Sequence, residues 1–358
     1  APADRAAPTD HADHPDHPDH AAWAGPASRV APAPQAGSQT QAPWVRQLPR
    51  PALRAMPAPA LTLPLRESFK VQSAGQAPRA RLRYALAAVE RSYAVQARLR
   101  ARVLTGGAHA ELAAVPAFTE PFAVRVSPAT GHSAAPAALY WRGLPATLDE
   151  AASAAASAGP SAEPYLARWR ALLQGRRAQL RLDDRGALDA VALAEDPLRQ
   201  TTRPELDELT QRLLGLTIPL PEEPVGVGAR WTVVTVLRQG LGVVKQTARY
   251  HLVAARDGRL TVELTLRRVG EEQRVEVPGL PPGAALDLVA LFREVTGAVE
   301  LELTAPLPTA GQLTLEARAH QRLRLADGAV HETITEDLGA LTLTSSHTPP
   351  RPGAPAAP

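Results

Sequence analysis

Apolar side chains recur at every second position through Tyr93, Val95, Ala97, Leu99, Ala101 and Val103, with mostly polar residues between them. A period of two marks a half-buried strand, whose successive side chains point to opposite faces. A shorter alternation at Leu82, Tyr84 and Leu86 predicts a strand before it, and Gly106-Gly107 ends the long one. Further strands are predicted at 122–126, 139–142, 179–182 and 187–193, the last two joined by the polar turn Asp183-Asp-Arg-Gly186. Two stretches change to helical spacing. Tyr165, Leu166, Trp169, Leu172 and Leu173 share one face of a helix over 164–174, stopped by Gly175. Leu206, Leu209 and Leu213 line a second helix over 202–214, opened by the capping-box pair Thr202 and Glu205 and closed at Gly215.

Between this second helix and the next strand lies Ile218-Pro-Leu-Pro-Glu-Glu-Pro-Val-Gly-Val-Gly-Ala-Arg-Trp231. Its prolines forbid helix and central strand, and Gly226 and Gly228 permit a tight backbone path. Alternation then resumes at 230–239, 243–254 and 260–269, and again at about 287–295, 298–303, 312–325 and 329–344. Pairing Ala248, Tyr250, Leu252 and Ala254 with Leu266, Leu264, Val262 and Leu260 sets His251 opposite Glu263 and calls for a five-residue connection. The stretches Gln179-Leu-Arg-Leu-Asp-Asp-Arg-Gly-Ala and Gln321-Arg-Leu-Arg-Leu-Ala-Asp-Gly-Ala are alike, as a duplicated β unit or two hairpins of common composition.

These patterns predict a mainly β (α+β) protein: antiparallel curved sheets or half-barrels in two parts, 76–222 and 223–347, with two amphipathic helices covering apolar faces. Thirteen prolines and few large apolar residues fall in the first 64 positions, so 1–75 is expected to be a disordered Pro/Ala-rich leader, and 348–358 a disordered tail. Aromatic residues are only 4%, which leaves the core to Leu, Val and Ala and argues against a deep cofactor pocket. The formal net charge is +3, with both signs interspersed and no nucleic-acid motif, so a nucleic-acid partner is not expected. The chain has no cysteine, hence no disulfide, thiolate site or cysteine nucleophile. It starts at Ala1, which points to removal of a signal peptide, and a lipid-modified Cys trimmed from that end would make it lipoprotein-like and anchored at the outer membrane. No apolar run approaches the roughly 20 residues of a transmembrane helix.

Pro221-x-x-Pro224-Val225-x-Val227-Gly228-x-x-Trp231, with the alternating strands after it, resembles a group of uncharacterised exported bacterial envelope proteins in which such a turn precedes a curved sheet. The resemblance covers about residues 178–345. It implies a secreted protein in the periplasm or outside the cell and supplies no activity and no catalytic residues. In this chain Gly-Ala-Arg stands where that turn has Gly-Asp-Ser or Gly-Asp-Thr.

Little in the sequence suggests catalysis. There is no Gly-x-Ser-x-Gly elbow, and Glu222-Glu223 and Glu271-Glu272 are adjacent pairs whose side chains diverge on an extended chain. Glu332 and Glu336 share parity with Val330, Ile334 and Leu338, which predicts a bulge returning them to water. His11, His14, His17 and His20, each preceded by Asp, could collect Zn, Ni or Cu weakly; no other cofactor is expected. Arg98, Arg100 and Arg102, and Arg318, Arg322 and Arg324, form two stripes for an anionic partner or simply wet strand faces. Trp169, Trp231, Tyr250 and Phe292 are the candidates to line an apolar cleft. The expected function is therefore non-enzymatic: binding or presenting a hydrophobic ligand or protein segment on a curved sheet. The alternative is a structural or assembly module acting through its arginine-rich face.

Overall fold

The computed structural model describes residues 61–62, 66–86, 88–106, 110–127, 137–149, 162–193, 203–239, 242–275 and 280–347. The leader through residue 60, with its Asp-His tract, and the tail 348–358 lie outside the described residues, as does the capping residue Thr202. In chain order the strands are β1 (Leu61–Thr62), β2 (Arg66–Ser73), β3 (Glu90–Thr105), β4 (Ala113–Ala114), β5 (Phe118–Ser127), β6 (Ala137–Gly143) and β7 (Thr147–Leu148). Helix α1 (Glu163–Leu172), β8 (Arg177–Leu182), β9 (Leu188–Leu193) and helix α2 (Arg203–Leu216) follow. After the proline-rich divider come β10 (Arg230–Gln239), β11 (Gly242–Arg256), β12 (Arg259–Gly270), β13 (Gln273–Val275), β14 (Ala285–Glu302), β15 (Ala310–Arg324) and β16 (Val330–His347).

The fold is mainly antiparallel β with two helices, and the two predicted parts share one sheet. Its strand order is β1-β9-β8-β6-β5-β3-β16-β15-β14-β12-β11-β10-β2, with β3 and β16 joining the parts through a long ladder from Arg91↔His347 to Thr105↔Thr333. The ends of this path are neighbours in sequence. Only three residues separate β1, on β9, from β2, on β10, so Thr62 and Arg66 are at most about 14 Å apart. β1 and β2 thereby cap the two edges of the sheet, and α2 packs against both β9 and β10. Residues 66–73, grouped with the leader on sequence, are thus a sheet strand; Phe69 and Val71 pack against the core despite the prolines around them.

Inward-facing side chains form two buried clusters. One joins Ala97, Leu99 and Phe118 to Trp231, Tyr250, Val262, Leu266, Val295 and Leu315, and takes in Leu166 of α1. The other joins Phe122, Val124, Leu139 and Trp141 to Trp169 and Leu173, and to Leu209 and Leu213 of α2. Leu166, Trp169 and Leu173 of the face predicted for α1 are buried, as are Leu209 and Leu213 of that for α2, and α2 runs one residue past Gly215. Most charged strand positions face outward, while Arg91, Glu120, Arg268 and Asp287 are buried. No helix among the described residues is long and apolar enough to cross a membrane.

Local departures from the predicted pattern have identifiable causes. The β11–β12 ladder pairs Ala248, Tyr250 and Leu252 as expected and sets His251 opposite Glu263, but Ala254 faces Thr261. A bulge at Val253 takes up one residue, so the connection shrinks from five residues to Asp257-Gly258. Both have positive φ, 49° and 75°, which suits the twist of a two-residue hairpin. Residues 82–86 form no strand; Leu82, Tyr84 and Leu86 pack on the core, with the Tyr84 and Ala85 amides donating to Asp184 and Leu303 carbonyls. The two strands predicted at 287–295 and 298–303 are one, β14. Gly297 does not interrupt it: φ is 149°, and a Cβ there would collide with the Gln312 carbonyl. The two similar stretches do adopt one loop geometry. Asp183 and Leu325 donate to Ala187 and Ala329, and Gly186 and Gly328 donate back to Asp183 and Leu325.

Candidate functional site

The divider builds the interior. Gly226 lies so close to the 74–78 segment that a Cβ would strike the Gln76 carbonyl, and its amide donates to the Ala74 carbonyl. Ala80 and Val225 exchange backbone bonds, and the Gly228 amide reaches the Leu252 carbonyl. This stitching delivers Trp231 into the interior, fully buried, with its indole N–H donating to the Pro219 carbonyl at 2.8 Å. Tyr250 stacks on it at 5.4 Å between ring centroids. The Tyr84 hydroxyl donates to the neighbouring Ile218 carbonyl, and burial pushes that phenol well above its ordinary pKa.

Of the four aromatic residues expected to line one cleft, only Trp231 and Tyr250 meet. Trp169 is buried in the other cluster, edge-on to Trp141, with its N–H donating to the Leu144 carbonyl. Phe292 pairs with Val269 on the outward face, beneath the Arg267 guanidinium. The space between α2 and the strands after Trp231 is a cavity of about 30 Å³, lined by Leu188, Leu214, Thr217, Thr235, Gln246 and Tyr250 among others. That volume suits one or two water molecules.

Buried polar ties across this interior were not singled out on sequence. Arg268 donates to Gln246 Oε1 and to the Gln211 carbonyl of α2, and Arg212 of α2 forks onto the Glu120 carboxylate of β5 while lying 5.0 Å over the Trp169 ring. Parity is the signal that finds them: Arg268 continues the inward series Leu260, Val262, Leu264, Leu266, and Glu120 stands between Phe118 and Phe122. Such ties fix the helices but are weak evidence for net stability, because each charge also loses its water.

The outward face carries both arginine stripes, brought together by β16. The Arg102 Nε donates to Glu336 at 2.6 Å, and Arg318 reaches the same carboxylate at 3.4 Å from the other side. Arg322 donates to Glu332 at 2.9 Å and also meets Glu272, while Arg324 meets Asp287. The β16 ladders show no register break, so Glu332 and Glu336 need no bulge: their whole parity, including the exposed Val330 and Leu338, faces water. The bond from Arg322 holds the Glu332 carboxyl below the usual glutamate range. Two of the six arginines stand outside this lattice. Arg100 donates to the Leu112 carbonyl, and Arg98, opposite Ala340, has no acidic partner among the described residues.

His251 and Glu263 form the expected cross-strand pair at 3.0 Å, and His320 lies 3.5 Å from Glu332. Among the described residues no group of three or more His, Asp or Glu side chains could hold a metal ion; His11, His14, His17 and His20 lie outside them. No protein-family model, curated protein or solved structure matches this chain.

Proposed function

We propose that this chain is a non-enzymatic structural or assembly module that acts through its outward sheet face. The observation that carries this reading is the filled interior: Trp231, Trp169, Leu209 and Leu213 are buried where a carrier would keep its ligand, and about 30 Å³ remains between α2 and the sheet. A bound acyl chain needs a site roughly ten times larger. Most of the arginine lattice serves the fold, because its carboxylates lie in the same sheet. Arg98 and Arg100 are the members left to meet an acidic protein surface. We place the module in the bacterial envelope, on the resemblance carried by Pro221, Pro224, Val225, Val227, Gly228 and Trp231.

Native mass spectrometry after gentle purification tests the reading. The module predicts no lipid mass on the chain and a stoichiometric protein partner that is lost with Arg98→Glu/Arg100→Glu. A co-purifying lipid, or a partner indifferent to that double charge reversal, overturns it.

A further inference from the structure

Residues directly opposed across a ladder share one face, so register lays out the outward surface of β15, β16 and β3 row by row. One row reads Glu316, Leu338, Arg100, and the next Thr314, Ala340, Arg98. All six are exposed. Glu316 and Arg100 thus flank Leu338 at one level, about 10 Å apart across two strand spacings. Arg100 turns away from Leu338, to the Leu112 carbonyl beside β4, and neither Glu316 nor Arg98 has an ion-pair partner among the described residues. Glu294, directly opposite Glu316, adds a second carboxylate, with Arg267 opposite it in turn. The patch is therefore negative on β15, uncharged along Leu338 and Ala340, and positive on β3.

We propose that this patch binds a second copy of itself. The inference rests on the outward face being the docking surface and names what docks there. Opposite charges on either side of an uncharged strand are self-complementary about a two-fold axis running along β16. Two sheets stacked face to face about that axis, about 10 Å apart, set each strand over the one equally far on the other side of β16. Arg100 then meets Glu316 of the second copy, twice by symmetry, with Arg98 one row away, and Leu338 meets Leu338 on the axis. Past the Arg98 row, Gln96 meets Gln312 of the second copy, and their amides exchange hydrogen bonds. In the other direction Arg102 comes over Arg318, but each already carries Glu336 of its own sheet. An axis across the strands would instead set Arg100 over Arg100 and Glu316 over Glu316. Five strand positions centred on β16, over four rows, span about 24 by 27 Å, roughly 650 Å². Stable complexes bury about 800 Å² per partner, so this dimer is a reversible one.

Sedimentation velocity of the full chain over a concentration series, at low and at high salt, tests this assignment. A monomer–dimer equilibrium should appear and shift toward monomer as salt screens the two ion pairs. Arg100→Glu and Glu316→Arg each set like charges face to face and should each weaken association about tenfold or more. Combining them rebuilds the pair in reverse and should restore the dimer. A chain monomeric at every concentration, a dimer indifferent to either single reversal, or a double variant no tighter than the single ones overturns the proposal. The two readings fail separately. A monomeric chain that keeps a different stoichiometric partner, lost with Arg98→Glu/Arg100→Glu, removes the second copy and leaves the docking face; a dimer untouched by Arg98→Glu/Arg100→Glu removes both.

Discussion

Replacing Trp231 probes the filled interior most directly. The side chain is fully buried against Tyr250, and its N–H satisfies the Pro219 carbonyl of a buried stretch of backbone. Trp231→Ala removes the ring and leaves a cavity, for a cost of about 3–5 kcal/mol. Trp231→Phe keeps an aromatic ring beside Tyr250 and deletes the donor, so its cost is mainly that of an orphaned buried carbonyl, about 1–3 kcal/mol. Against a total of roughly 5–15 kcal/mol for a folded domain, the alanine variant removes a large share of stability. Urea denaturation followed by far-UV circular dichroism reads both losses as shifts in midpoint at an unchanged m-value. Because Trp231 and Tyr250 touch, Trp231→Ala combined with Tyr250→Ala should cost less than the sum of the two. A loss below about 1 kcal/mol for Trp231→Ala would refute the reasoning, since it requires a Trp231 site that is already loose or wet.

Four further outcomes are expected. The Glu332 carboxyl should titrate below the ordinary glutamate value and rise toward it in Arg322→Ala, as read by NMR; because its folded pKa is lowered, any stability it contributes is present above the ordinary carboxylate pKa and is lost as pH falls through the folded value. Gly258→Ala, at φ 75° with open space around it, should cost about 1 kcal/mol in a melting experiment, whereas Gly226→Ala should cost distinctly more because its Cβ meets backbone. Deleting residues 66–73 should uncover the β10 edge and raise light scattering on heating, and an unchanged melt would show that the clasp carries no weight. Calorimetry with Zn, Ni and Cu should give weak heats that vanish when residues 1–22 are removed; equal heats with and without them eliminate His11, His14, His17 and His20 as ligands.

Local chemistry alone determined much of this protein. Period-two alternation located most of the long strands and, except on β16, their inward residues; helical spacing located both helices, and the prolines and glycines of 218–231 marked where the chain must do something else. Each signal acts between residues a few positions apart, so it survives without knowledge of the fold. Parity could also say that Arg98, Arg100 and Arg102 share a face, but not that β16 would set Glu332 and Glu336 between them and the second stripe. That pairing joins residues more than 200 positions apart. The same limit hid the clasp formed by β1 and β2, which follow a proline-rich stretch and find their partners only at the edges of β9 and β10. The packing of the interior belongs to the same level: strand and helix patterns prescribe which side chains are dry, while the fold alone decides which of them meet. Apolar burial has no direction of its own, and it is the divider, fastened to the 74–80 segment by backbone bonds, that aims Trp231 at Tyr250.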